Sequence, residues 1–132
     1  MTNNSRAPAG AGRFAYDGLD RVMHEKARLG ILTSLVTHAD GMLFTDLKEQ
    51  CALTDGNLNR HLKVLQEAGF IEVWKGMHRK RPQTLCRITR QGRDRFLEYL
   101  SALEQVIADA AEGVRAAPNP AAEQMLKGWS PA

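Results

Sequence analysis

Leu53-Thr54-Asp55-Gly56-Asn57-Leu58-Asn59-Arg60-His61-Leu62-Lys63-Val64-Leu65-Gln66-Glu67-Ala68-Gly69-Phe70-Ile71 reads as a complete helix with both of its ends. Leu58, Leu62 and Leu65 recur at spacings of four and three, one apolar stripe at the helical period. Thr54 suits the N-cap, Asp55 favours the positive end of the helix dipole, and Gly69 suits the residue just past its end. With the leucines turned inward, the other face shows Thr54, Asp55, Gly56, Asn57, Asn59, Arg60 and Lys63. Its first half is shaped to enter a major groove, where Asn pairs with adenine and Arg with guanine. Gly56 permits close backbone approach, and the free N–H groups of a first turn suit a phosphate. Asp55 fits first-turn helix chemistry better than base reading.

Upstream, Ala27, Ile31, Leu32, Leu35 and Val36 form another helical stripe, predicting a helix over about 18–38 that stops before Gly41. Met42-Leu43-Phe44 is too short for more than a minimal strand. Thr45 is then expected to cap a short helix from Asp46 to Cys51. Ala52-Leu53-Thr54 joins that helix tightly to the next, which describes a helix-turn-helix.

Downstream, the period changes. Phe70 to Trp74 is rich in β-branched and aromatic residues, and Leu85 to Thr89 alternates at period two, which predicts a β-hairpin. Lys75 to Gln83 between them is expected as a long polar loop, with Lys75, His78, Arg79, Lys80 and Arg81 as its basic contacts. Phe96, Leu100, Leu103 and Ile107 then mark a long helix over about 91–116, ended by Pro118 and Pro120. Such a helix exceeds what so small a domain covers, so these four residues are the expected dimerisation seam.

Charge agrees with this layout. The chain of 132 residues has a net charge of only +3, yet residues 74–95 alone carry +7 while residues 1–53 balance. A concentrated basic run beside a polar helix face is the footprint of a phosphate-binding surface. The other reading of such a run is a solvated face. Here it falls on a hairpin tip, where Arg79, Lys80 and Arg81 repel one another with little folding reason to cluster. A tip arginine suits the negative, narrow minor groove.

At these residues the sequence resembles the small winged helix-turn-helix regulators related to the MarR and ArsR groups. The resemblance rests on Leu53 to Ile71 and on Ile88-Thr89-Arg90-Gln91-Gly92-Arg93, which matches their hydrophobic-Thr-x-x-Gly-Arg signature, and spans roughly Leu19 to Leu103. It implies a transcription regulator, acting as a repressor, that binds double-stranded DNA as a homodimer. MarR-type wings often carry Asp-Arg at the tip, whereas this one has Arg-Lys-Arg-Pro, which leaves the inserting arginine open. Arg87, Arg90 and Arg93 suit phosphate clamps, and Arg93 equally suits a structural ion pair.

The expected fold is mainly α with a small β wing. A flexible N-terminal tail (1–17) precedes the winged helix domain (18–92), the dimerisation helix (93–116) and a C-terminal extension (117–132). With 43% hydrophobic and 25% charged residues, the composition is that of a globular cytoplasmic protein, with no membrane span. Cys51 and Cys86 lack metal or redox spacing and read as buried free thiols. His24, His38, His61 and His78 lie on four separate elements, so no metal site and no cofactor is expected, and His61 reads as a part-buried helix residue. No phosphate loop, nucleophile set or carboxylate pair suggests an enzyme. The resemblance leaves room for an unidentified small-molecule effector, though the chain is short for a roomy pocket. The alternative function is a winged helix that engages RNA or protein without operator specificity.

Overall fold

A computed structural model describes residues 12–132. The elements run α1 (Lys26–Val36), β1 (Met42–Leu43), α2 (Phe44–Cys51), α3 (Asp55–Glu67), β2 (Ile71–His78), β3 (Arg81–Ile88), α4 (Arg90–Arg115) and α5 (Ala122–Met125). The fold is the expected one: helices on a small antiparallel sheet, with a long C-terminal helix. Met42 and Leu43 do form a strand, which pairs antiparallel with β3, so the sheet has three strands in the order β1-β3-β2.

The stripes seen in the sequence meet in one core. Ile31, Leu32 and Leu35 of α1, Leu47 of α2, and Leu58, Leu62 and Leu65 of α3 are buried together. Ile71, Cys86 and Ile88 close it from the sheet, and Phe96 and Tyr99 from α4. Burial pushes the Cys86 thiol up to about 11, which keeps it protonated and unreactive. Cys51 is half-buried rather than buried.

Three expectations change. The first helix starts at Lys26, capped by Glu25, and not near residue 18. Asp20 is the reason: its Oδ1 accepts the N–H groups of Val22 and Met23, folding residues 20–25 into turns. These turns form a strap against α4, tied by the Tyr99 hydroxyl bonded to His24 Nδ1 at 2.8 Å and by Arg95 paired with Asp20 at 2.8 Å. The strap reaches back into the expected tail, where the Tyr16 hydroxyl donates to Asp109 Oδ2 at 2.7 Å. That hydrogen bond holds the Asp109 carboxyl below its ordinary value and raises the Tyr16 hydroxyl above its own. The rest of the tail, residues 1–11, lies outside the described residues. Second, α2 begins at Phe44 with Leu43 as its N-cap, so Thr45 sits inside the helix and does not cap it.

The third change concerns the hairpin. Its strands run in register from Ile71–Ile88 to His78–Arg81, leaving only Arg79 and Lys80 as a two-residue turn. The long loop is absent. Both turn residues take positive φ, 52° and 65°, as a type I′ hairpin turn demands.

The hydrophobic-Thr-x-x-Gly signature has a clear structural role. Thr89 caps α4 by accepting the Gly92 N–H, while its hydroxyl donates to the Gly69 carbonyl at 2.7 Å. Gly69 sits at φ +83°, the left-handed exit from α3 anticipated from the sequence. At Gly92, an added Cβ would collide with the Phe70 carbonyl, so only glycine lets α4 approach the strand. Gly92→Ala is therefore expected to lower stability by roughly 2–4 kcal/mol, since rigid backbone must shift. Gly56→Ala, at a helical position facing open space, should instead gain about 0.5–1 kcal/mol. Denaturant unfolding of the two variants checks both signs.

Candidate nucleic-acid interface

Thr54 starts α3 as expected, its side chain accepting the Asn57 N–H at 3.2 Å. Because Leu58, His61, Leu62 and Leu65 form the buried face of α3, its opposite face points out of the domain. Thr54, Asp55, Gly56, Asn57, Asn59, Arg60 and Lys63 are all exposed, as are Lys75, His78, Arg79, Lys80 and Arg81 on the wing. A groove of about 360 Å³ lies between the two sets, walled by Asn59, Lys63 and Gln66 of α3 and by Lys75 and Thr84 of the wing. The helix face and the wing root thus share one surface.

Two contacts within this surface were not legible beforehand. Arg60 donates from Nη2 to Asn57 Oδ1 at 3.0 Å, which occupies the Asn57 carbonyl and aims the guanidinium along the helix. Asp55 pairs with Lys48 at 2.8 Å, bracing the start of α3 against α2, in line with its reading as a helix-end residue. That bridge is solvent-exposed and contributes little to stability.

The basic run divides into two kinds of residue. Arg87 pairs with Glu72 at 3.7 Å, and Arg95 bridges Asp20 and Glu98, so these two arginines serve the fold. Among the described residues, Lys75, Arg79, Lys80, Arg81, Arg90 and Arg93 have no ion-pair partner, and Arg93 in particular lacks the structural bridge considered for it. Net positive charge therefore stays concentrated on the wing and at the start of α4.

The expected seam on α4 splits. Phe96 is 3% exposed and belongs to the domain's own core, and Leu103 packs partly against that core. Tyr99, absent from the expected stripe, is buried beside Phe96 with stacked rings 6.0 Å apart. Leu100 and Ile107 face solvent, and Leu97 and Val114 join them on the same exposed stripe. Leu97, Leu100, Ile107 and Val114 follow spacings of three, seven and seven, a heptad-like face distinct from the core face.

This geometry defines a class: a winged helix presenting a polar helix face and a basic hairpin on one side. The chain belongs to the winged helix DNA-binding domain family, whose model matches residues 27–107. It is 44% identical over 63 residues to an uncharacterized protein of Methanocaldococcus jannaschii, covering 48% of this chain and 68% of that one. It is 30% identical over 95 residues to the HTH-type transcriptional regulator YdgJ of Bacillus subtilis, spanning 69% of this chain and 54% of YdgJ. Among solved structures, a transcriptional regulator homologue from Pyrococcus horikoshii matches with a TM-score of 0.64 at 29% identity, over 74% of this chain and 91% of that one. At the level of the fold alone, a MarR-family regulator from Silicibacter pomeroyi matches with a TM-score of 0.50 at 18% identity, over 92% and 85% of the two chains. The expected winged helix fold is thus confirmed, and the chain shares that fold with a MarR-family regulator. Among the described residues, no helix is long and apolar enough to cross a membrane, and no cluster of His, Cys, Asp and Glu has the makings of a metal site.

The wing turn yields a prediction of its own. Arg79 and Lys80 each sit in the left-handed region, which costs a non-glycine residue on the order of 1 kcal/mol. Replacing the pair with Asn-Gly, the dipeptide this turn prefers, is expected to raise stability by about 1 kcal/mol while removing two positive charges. Thermal unfolding read against the wild type measures the gain.

Proposed function

We propose that this protein is a sequence-specific regulator of transcription that binds duplex DNA as a homodimer and represses by occupying its operator. In this reading α3 lies in the major groove and the wing reaches the adjacent minor groove. The observation that carries it is the shared surface: the polar residues Thr54, Asp55, Asn57, Asn59, Arg60 and Lys63 beside a wing whose Lys75, Arg79, Lys80 and Arg81 have no ion-pair partner among the described residues. Family membership and the regulators among its relatives support the same reading.

Division of labour follows from chemistry. Arg60, braced by Asn57, is the base reader; guanine offers it two acceptors in the major groove. Lys75, His78, Arg79, Lys80 and Arg81 supply backbone and minor-groove contacts. Lys63 and Lys75 flank the groove through which a phosphate strand would pass between them.

For assembly, the exposed stripe Leu97, Leu100, Ile107 and Val114 suits a second copy presenting the same face across a twofold axis. The two α3 helices would then read a pseudo-palindrome with half-sites on the order of 10 bp apart.

Two experiments test these statements. Genomic fragments selected on the purified protein provide the operator for binding measurements. On it, Arg60→Ala should cost roughly 1–3 kcal/mol and relax base preference, and Asn57→Ala should add little once Arg60 is gone. Arg79→Ala and Arg81→Ala should weaken binding to every sequence and lower the salt slope by about one each. Wing variants that bind like wild type at physiological salt, or selection of RNA in place of duplex DNA, would refute the reading. Separately, a Leu100→Glu, Ile107→Glu double variant should sediment as a folded monomer and lose protection of paired half-sites. A wild type already monomeric at micromolar concentration refutes the dimer.

A further inference from the structure

His61 is the buried polar residue of the core, 5% exposed on the inward face of α3 among leucines. An imidazole in such a place needs partners, and both come from the start of α1. Arg28 Nη1 lies 3.2 Å from His61 Nδ1, and Glu25 Oε1 lies 3.9 Å from the same nitrogen. Arg28 is itself held, its Nε donating to the Val22 carbonyl, while Glu25 accepts the Arg28 N–H at 2.8 Å as the N-cap of α1. A guanidinium only donates, so Nδ1 is the acceptor and the imidazole is neutral, with its proton on Nε2. The side chain is thus a clamp between the DNA-facing helix and the first turn of α1.

The same nitrogen faces a donor cation and a carboxylate, and its protonation decides which of them it can use. A proton on Nδ1 ends the bond from Arg28 and sets a second cation beside that guanidinium. Glu25 is the nearest remaining acceptor, and reaching it requires the ring or the first turn of α1 to move. The charged groups facing His61 are Glu25 and Arg28 from the start of α1 and Arg60 from α3 itself. We propose that His61 is a positioning residue for DNA reading: neutral, it clamps α3 to α1 through Arg28, and protonated, it releases the clamp, so operator binding weakens as the pH falls. The second half rests on the DNA-binding function proposed above.

The direction of the shift agrees. Burial lowers the His61 value below that of an ordinary imidazole; Arg60 and Arg28 lower it further and Glu25 opposes. In the unfolded chain the imidazole takes up its proton near its ordinary value of about 6.5. The contribution of neutral His61 to stability is therefore complete above that value and is lost as the pH falls from it toward the lower folded value. A loss of affinity at acid pH carries the sign expected of the His61 clamp, because added positive charge beside phosphate would instead strengthen binding.

The test uses the full chain, with and without the selected operator, between about pH 7.5 and about pH 5.5. Without DNA, NMR should show His61 titrating below the ordinary imidazole range, with faster amide exchange in α3 once it is protonated. With DNA, wild-type affinity should fall several-fold over the same range. His61→Gln accepts from Arg28 without titrating, so it should keep neutral-pH affinity and lose the acid step. His61→Leu should bind weakly at every pH while remaining folded. An acid step retained by His61→Gln, or α3 protection unchanged through the titration, overturns the inference. A wild type that binds no duplex DNA at any pH overturns the functional reading instead, and the titration and exchange of the free protein still decide the clamp.

Discussion

The Thr89 hydroxyl joins three parts of the molecule that would otherwise be independent. It donates to the Gly69 carbonyl at the end of α3 and accepts the Gly92 N–H at the start of α4. The Thr89 N–H donates to the Phe70 carbonyl at 2.9 Å, and the Phe70 N–H to the Leu65 carbonyl at 3.0 Å. Within a few residues the exit of α3, the root of the wing and the entry of α4 are bound to one another. Gly92 makes this possible, because a side chain there would hold α4 away from the strand. The angle between α3 and the long C-terminal helix α4 is set at this junction, not by either helix alone. Hydrogen bonds between short, ordered segments suit that purpose, since their geometry tolerates little play.

Helix α4 in turn works as a wall with three sides. Phe96 and Tyr99 close the core, the strap of residues 12–25 lies along a second side through Asp20, His24 and Tyr16, and Leu97, Leu100, Ile107 and Val114 occupy a third. Only the third is apolar and uncovered. The strap supplies neighbours that the winged helix alone lacks, and it is why a 26-residue helix on a small domain is not bare along most of its length.

Much of this was legible in the residues, and the failures are instructive. Thr54, Leu58, Leu62, Leu65 and Gly69 each follow a local rule, and each behaves accordingly in the structure. The helix-turn-helix, the wing and the long helix follow from them. The length of the strands did not, because Lys75 to Gln83 forms a ribbon exposed on both faces, with no alternation of apolar residues to betray pairing. Its turn lacks Asn and Gly, so the usual hairpin signal is missing too. The first helix was drawn too long because residues 18–25 carry no proline, and the competing Asp20 side chain decides their conformation only through local hydrogen bonds. On α4, a four-three-four spacing named Phe96 and Leu103 as seam residues, but periodicity identifies an apolar face without saying whose core it joins. His61 stayed half-read for the same reason: its burial depends on Arg28 and Glu25, distant in sequence.

The hairpin's complete pairing has a consequence for how such wings can change length. With every residue from Ile71 to His78 paired and a turn of two residues, there is no slack to absorb an insertion. Adding one residue to each strand lengthens the arm by about 3.4 Å but exchanges its faces, putting tip residues that lay on the Lys75 and Met77 side onto the Trp74 side. Adding two to each strand restores the faces and extends the reach by about 7 Å, about two base-pair steps along a duplex. Wings of this construction are therefore expected to differ among relatives by pairs of cross-strand rungs, so that reach varies in discrete increments while the surface turned toward the helix stays the same.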